Sequence, residues 1–403
     1  MPVTSQLRVM SIYEGFFSGG ARALHTTVVA GLHTGGSHHH SVLSIYGAMR
    51  RETILQRMED DASYRSLSAI GVEVRPLGRR IGGGSAARKT FSQSEVATAF
   101  AHAERADIIL SLKEQPLRLV NLPDFPRKPV IVCLHRSDPE NQGSALAEFK
   151  TAVADGRVAA AICCAESTRA AYQRAGIPQS LLKVVPNGVD LTRFQPVTGR
   201  KRGALRRSLG VPAKGEVVTL AARYDAMKNI PLFLASARRY LEHEPNGHVV
   251  MCGAGMTTAN VELCGLLNDL FDDEPRFLNR LHLLGIRRDM EAVYAASDVV
   301  ALTSTSGEAA PLCLIEGAMC GAVPVSTDIG DTAQIVNGIG LITPPEPDAI
   351  ATTWSEAVDR RAELTPRLLA SRERFSHTRM IASYAAVINR AHRELGLRVP
   401  QRL

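Results

Sequence analysis

Short apolar runs recur along the chain with room for a helix between them. Leu7 to Ile12, Val42 to Tyr46, Val72 to Arg75, Ile108 to Leu112, Val130 to Leu134, Ala160 to Cys164 and Lys183 to Val185 predict the strands of one sheet. Val217 to Ala221, His248 to Cys252, Leu281 to Leu284, Val299 to Thr303, Val323 to Ser326 and Gly340 to Ile342 predict a second. Strands alternating with helical stretches are the pattern of doubly wound parallel sheets, so the fold class is α/β with two such domains. A boundary falls near Phe194 to Arg202, dividing residues 1–195 from 196–375. A final amphipathic stretch, Thr378 to Leu395, is helical by its spacing.

One helix in this pattern carries chemistry. Pro311 suits a first helical position, where its missing N–H costs nothing, and Gly321 with Pro324 marks the stop. The helix then runs from about 311 to 320. Leu312, Cys313, Leu314, Ile315, Ala318, Met319 and Cys320 make it apolar on every side, which predicts burial, and Glu316 is its only charge. A buried carboxylate needs partners, and the two hydroxyls of a ribose would supply them. Glu308 precedes the helix, roughly 12 Å from Glu316 at a rise of ~1.5 Å per residue. That is about the reach from a ribose across a diphosphate to a sugar, and the helix N-terminus between the two attracts phosphate. On spacing alone, a core helix whose Glu316 pairs with an arginine, and whose Glu308 is a loop carboxylate, fits equally well.

Composition narrows the class. At 403 residues, 45% hydrophobic and 22% charged, the chain reads as a globular enzyme of two or three domains. No run of 18 uncharged apolar residues and no signal-peptide pattern is present, so a cytoplasmic protein is expected. Six of the seven cysteines, Cys133, Cys163, Cys164, Cys252, Cys313 and Cys320, sit in apolar runs without metal-ligand spacing, which predicts reduced core thiols. Residues 1–195 carry 23 Lys+Arg against 17 Asp+Glu, and the remainder 24 against 23. The basic excess is densest from Arg75 to Lys89, around Gly82-Gly83-Gly84. This segment reads as a solvated loop, as one closing over an anionic substrate, or as a peripheral contact with an anionic membrane. The aromatic interleaving of a nucleic-acid-binding surface is missing.

The stretch from Ser304 to Met319, with its Glu-x7-Glu, resembles the signature of the retaining glycosyltransferases of family 4, whose fold is GT-B. The resemblance continues through Gly321-Ala322-Val323-Pro324-Val325-Ser326-Thr327-Asp328-Ile329-Gly330. Upstream it includes Val185-Pro186-Asn187-Gly188-Val189-Asp190-Leu191-Thr192-Arg193-Phe194, Ala222-Arg223-Tyr224-Asp225-Ala226-Met227-Lys228-Asn229 and Val250-Met251-Cys252-Gly253-Ala254-Gly255. Leu283-Leu284-Gly285, with Tyr294-Ala295-Ala296-Ser297-Asp298, completes it, in order, from about 184 to 342. The resemblance implies two Rossmann-like domains facing across a cleft. Residues 1–195 would bind the acceptor and 196–375 the nucleotide sugar, with residues 376–403 crossing back to the first domain.

Site residues follow from strand ends, where open parallel sheets bind ligands. Arg223 and Lys228 are five apart in one loop and are expected to meet one diphosphate in place of a metal. The resemblance makes both catalytic, together with Glu308, which holds donor-sugar hydroxyls, and His135, which faces sugar and acceptor. Gly19 and Gly20 let backbone N–H groups approach the donor. Gly253 and Gly255 admit the nucleotide closely, Arg287 stands where the base binds, and Ala309, Ala310 and Leu312 present the helix N-terminus. Glu316 takes the ribose. Arg22, where the family commonly has glutamate, and Asp138, which orients His135 or contacts the acceptor, are the acceptor candidates. His38-His39-His40 falls where the family has a Gly-His and reads as a surface turn.

The expected reaction moves a sugar from a UDP- or GDP-linked donor to a small-molecule, lipid or glycan acceptor with retention, requiring no metal or other cofactor. Two other readings use the same architecture: a nucleotide-sugar epimerase or pseudo-glycosyltransferase, and a nucleotide-sugar-binding protein without turnover. A nicotinamide oxidoreductase is disfavoured by the lack of Gly-x-Gly-x-x-Gly. A homodimer is compatible with the sequence.

Overall fold

The computed structural model describes residues 6–17, 19–51, 54–81 and 90–396. The chain divides into two compact units, residues 1–187 with 377–403, and residues 188–376.

The first unit is built on one sheet of β1 (Leu7–Gly15), β2 (His38–Arg51), β3 (Ile54–Arg57), β4 (Glu73–Ile81), β5 (Ile108–Leu112), β6 (Val130–Leu134), β7 (Val158–Cys163) and β8 (Leu182–Val184). Its order is β3-β2-β1-β5-β6-β7-β8, with β4 also paired to β2, and every pairing is parallel except β2 with β3. A parallel sheet covered on both faces needs strands that are apolar throughout, and β5 and β6 are buried at every residue. Helix α1 (Gly20–Thr34) follows β1.

The histidine triplet, expected as a surface turn, opens β2 instead. His38 and His40 are 1% and 0% exposed, while His39 is exposed. This is the two-residue period of a strand written in polar residues.

The second unit holds β9 (Glu216–Ala221), β10 (Gly247–Cys252), β11 (Leu281–Gly285), β12 (Val299–Leu302), β13 (Val323–Thr327) and β14 (Leu341–Thr343), all parallel, in the order β11-β10-β9-β12-β13-β14. Four of its helices matter below. Helix α2 (Ile230–His243) follows β9, α3 (Met290–Ala296) precedes β12, and α4 (Leu312–Met319) follows it. Leu314, Ile315, Ala318 and Met319 of α4 share a core with Val300 and Leu302 of β12. The two approach so closely that a Cβ on Gly317 would lie 2.5 Å from Val300 Cγ1. The fourth helical segment, a 3-10 turn at Ala226–Lys228, lies in the loop after β9.

Helix α5 (His377–Gly396) belongs to the first unit. It lies on α1, where a Cβ at Gly31 would come within 2.4 Å of Ile381 Cδ1, and Asn389 Oδ1 is 3.0 Å from His38 Nε2.

Both sheets reverse their strand order beside their first strand, between β1 and β5 and between β9 and β12. Loops leaving the two strands at such a reversal diverge and open a crevice at their carboxyl ends.

Candidate functional site

At the reversal in the second unit, the loop after β9 and the loop after β12 come together. The first is held by its own side chains: Asp225 accepts from Met227 N–H at 3.0 Å, and Asn229, at φ 47°, accepts from Leu232 N–H to cap α2. Thr303, just after β12, donates its hydroxyl to Lys228 O at 3.3 Å. This fixes the backbone of Lys228 against the end of β12 and delivers its ammonium to Glu308 Oε1, with which it forms an ion pair. Ser304 Oγ donates to the same oxygen at 2.8 Å. Glu308 is buried, and a desolvated carboxylate is tolerable because these donors meet it. Arg223, more exposed, pairs with Asp225 at 2.9 Å.

Gly330 packs against the backbone of Glu308. A Cβ there would lie 2.5 Å from Glu308 O, its φ is 61°, and the next residue, Asp331, donates N–H to Ala309 O at 2.8 Å. The turn after β13 thereby presses against the Glu308-Ala309 backbone. Pro311 caps α4 with extended ψ instead of being its first helical residue, and no side chain caps that end. The N–H groups of the first turn, beside Ala310 and Leu312, lack a capping side chain, as an anion-binding terminus requires.

Glu316 is partly buried on α4, and its partner is a tyrosine. The hydroxyl of Tyr294, fully enclosed on α3, hydrogen-bonds the carboxylate. Desolvation pushes the Glu316 carboxyl up to about 7, against the opposing pull of Tyr294 and Arg193. The glycines after β10 have a packing reason of their own. A Cβ at Gly253 would lie 2.0 Å from Ala222 O, and one at Gly255 2.7 Å from Tyr224 Cβ, so they admit the loop after β9. Arg287 is paired with Asp289 at 2.6 Å.

In the first unit, Gly19 caps α1, and a Cβ there would meet nothing within 4 Å, so packing within the unit does not demand a glycine. Gly20 begins the helix. Arg22 lies over the Phe17 ring at 5.7 Å. His135 follows β6, and burial, reinforced by the charges of His25 and Lys113, lowers its pKa to about 3. It is therefore a neutral imidazole, whose enclosed Nε2 has no hydrogen-bond partner among the described residues. Asp138 is taken up by Arg136 at 2.6 and 2.7 Å, so its carboxylate orients that arginine rather than His135. Of the basic segment, residues 82–89 lie outside the described residues. Arg79 is fixed by Glu95 at 2.8 Å and by the face of Phe91 at 4.4 Å.

Sequence reasoning passed over Ser304 and Tyr294, which orient the two glutamates, and Lys113 with Glu114, which follow β5. Lys113 is the more telling omission, since its φ of 68° places a non-glycine residue in the left-handed region. Glu114 is 1% exposed, accepts from Gln142 Nε2 at 2.9 Å, and is raised to about 7 by desolvation. Among the described residues, no group of three His, Cys, Asp or Glu is placed to hold a metal ion, and no helix is long and apolar enough to cross a membrane. None of the seven cysteines, all among the described residues, is in a disulfide.

Two family profiles match the chain: Glycosyltransferase Family 4 over residues 53–193 and Glycosyl transferases group 1 over residues 215–360. A D-inositol 3-phosphate glycosyltransferase of Corynebacterium jeikeium is 30% identical over 161 residues, 39% of this chain and 38% of that protein. A UDP-Gal:alpha-D-GlcNAc-diphosphoundecaprenol alpha-1,3-galactosyltransferase of Escherichia coli is 32% identical over 162 residues, 38% of each. The chain thus spans well under half the length of these curated relatives. The crystal structure of Anabaena HepE with UDP and glucose superposes with a TM-score of 0.76 at 21% identity, covering 95% of this chain and 100% of that one. The likeness in architecture shows the GT-B fold: two α/β domains, each on a sheet that is parallel but for the β2–β3 pair of the first.

Proposed function

Because the chain belongs to the group 1 and family 4 glycosyltransferases, we propose that it transfers a sugar from a nucleoside diphosphate sugar to an acceptor, with retention at the anomeric carbon. The observation that carries this reading is the meeting of Lys228 with Glu308 at the sheet reversal, immediately before the uncapped end of α4. Lys228 and Arg223 meet the charge that develops on the departing diphosphate, and the α4 N-terminus beside Ala309, Ala310 and Leu312 receives its phosphate oxygens. Glu316 accepts from the ribose hydroxyls, and Glu308 from those of the sugar. The bond from the anomeric carbon to the diphosphate oxygen breaks, and a bond to the acceptor oxygen forms on the same face. The acceptor's proton passes to the diphosphate. Two cations in place of a metal make the reaction metal-independent in this reading.

UDP is favoured over GDP as the leaving nucleotide, since HepE binds UDP and the Escherichia coli relative is named for UDP-Gal. The test is a thermal-shift comparison of UDP, GDP, ADP, TDP, NAD and NADP with and without magnesium, because a ligand of the native state stabilises it by mass action. A magnesium-independent shift with UDP is expected. A shift with NAD or NADP alone would overturn the reading, and so would silence with every nucleotide.

A further inference from the structure

Resting on the transferase reading, we infer that the acceptor carries an anionic oxygen group, of which phosphate is the simplest, and that Lys113 in the first unit holds it. The pairing of β1 with β5 brings Glu14, near the end of β1, beside Lys113, while Arg22 lies on α1 after β1, and the loop after β6 adds His135 and Arg136. Lys113 occupies left-handed backbone at φ 68°. Its N–H donates to Cys133 O at 3.0 Å, and its carbonyl accepts from Ser111 Oγ at 2.8 Å, so both neighbours hold it in that conformation. Glycine adopts such backbone without strain. A lysine there has a use for its side chain.

That side chain makes no hydrogen bond or ion pair among the described residues. Burial lowers its pKa, the charges of Arg22 and Arg136 lower it further, and Glu14 and Glu114 act in the opposite sense. Of the nearby carboxylates, Glu14 acts on Lys113 without forming an ion pair with it, and the other two are committed elsewhere. Asp138 is bonded by Arg136, and Glu114 by Gln142. Beside Lys113, the enclosed Nε2 of neutral His135 has no partner among the described residues, a second polar position open to a ligand oxygen. A cation without an ion pair, two arginines within range of its field and an unpartnered imidazole, gathered at the carboxyl end of a reversed sheet, are the chemistry of an anion seat.

The experiment titrates inorganic phosphate into protein saturated with UDP, so that the phosphate positions of the second unit are filled. Lys113→Gly suits the comparison because it relieves the left-handed strain and keeps the backbone. Saturable phosphate binding is expected in the parent protein, weakened at least tenfold in Lys113→Gly and restored in Lys113→Arg, with UDP affinity the same in all three. A second arm replaces phosphate with vesicles of phosphatidylglycerol in phosphatidylcholine, against phosphatidylcholine alone. Lys113-dependent binding to the anionic vesicles only would assign the group to a lipid headgroup, and binding of free phosphate to a soluble acceptor. Phosphate and vesicle binding that are absent, or unchanged in Lys113→Gly, would overturn the inference. Failure of UDP to bind would overturn the donor reading alone, and the dependence on Lys113 would then be read without nucleotide.

Discussion

The Lys228 ammonium and the Ser304 hydroxyl converge on one oxygen of Glu308, Oε1, so the free site holds its proposed sugar-binding carboxylate in a single orientation. A group positioned by the protein before the ligand arrives needs no reorganisation when charge develops. Glu308→Gln keeps the shape and the acceptor oxygen but removes the charge. Turnover is expected to fall on the order of a hundredfold or more, while UDP affinity measured by calorimetry changes little. Unchanged turnover would remove Glu308 from the chemistry.

Glu316 and Tyr294 make a pH-dependent prediction about nucleotide affinity. In the proposed reading a ribose diol is held by the ionised carboxylate, and the carboxyl stands at about 7. Affinity for UDP is therefore expected to be full at pH 8.5 and to fall as the pH drops through about 7. Glu316→Ala should weaken binding by about 2 kcal/mol at pH 8.5, the scale of a hydrogen bond to a charged group. Tyr294→Phe removes a donor that favours the ionised form, so the decline should begin at higher pH. Calorimetric titrations across this range check both.

Glu114 is predicted to oppose stability at alkaline pH. Its folded value of about 7 lies above the ordinary carboxylate value, so the folded state binds the extra proton and stability falls as the pH rises from 4.5 to 7. Glu114→Gln keeps an oxygen for Gln142 and removes that cost. The variant should be more stable than the parent by about 3 kcal/mol at pH 8, with the difference vanishing below pH 5. Urea unfolding at the two pH values measures it.

The buried histidines act in the opposite direction. Burial lowers His25 to about 3, and His40 well below the ordinary histidine value. Values lower in the folded than in the unfolded chain mean that their contribution is complete above pH 6.5. It is lost as the pH falls, by about 1.4 kcal/mol per pH unit for each histidine. In Glu114→Gln, where one opposing carboxyl is gone, the melting temperature should fall more steeply between pH 6.5 and 5 than in the parent. Equal slopes would mean that Glu114 enters the folded protein ionised.

Much of the scaffold was legible because buried parallel strands are written as uninterrupted apolar runs, as in Ile108 to Leu112 and Val130 to Leu134. The start of β2 was not, because its alternation is carried by His38 and His40, and a period of two in polar residues is invisible to a reading of apolar ones. The antiparallel β3 is a short edge strand of mixed polarity that leaves no such run. The candidates Glu308 and Glu316 were legible from spacing, and Arg223 and Lys228 from the resemblance. Which of them touch was not, since Lys228 meets Glu308 while Arg223 turns to Asp225. The left-handed backbone of Lys113 leaves no apolar pattern, for it is held by Cys133 on the neighbouring strand and by the hydroxyl of Ser111 two residues before it.

The allegiance of α5 to α1 makes the first unit discontinuous in sequence, and this bears on its synthesis. Residues 188–376 emerge from the ribosome as an uninterrupted block and can complete their core on the spot. The earlier-made sheet must wait, with Gly31 and the buried face around His25 and His38 uncovered, until residues 377–396 are released. The part translated first is therefore the part finished last. A chain halted near residue 376 would display that unfinished face to chaperones while its second unit was already folded.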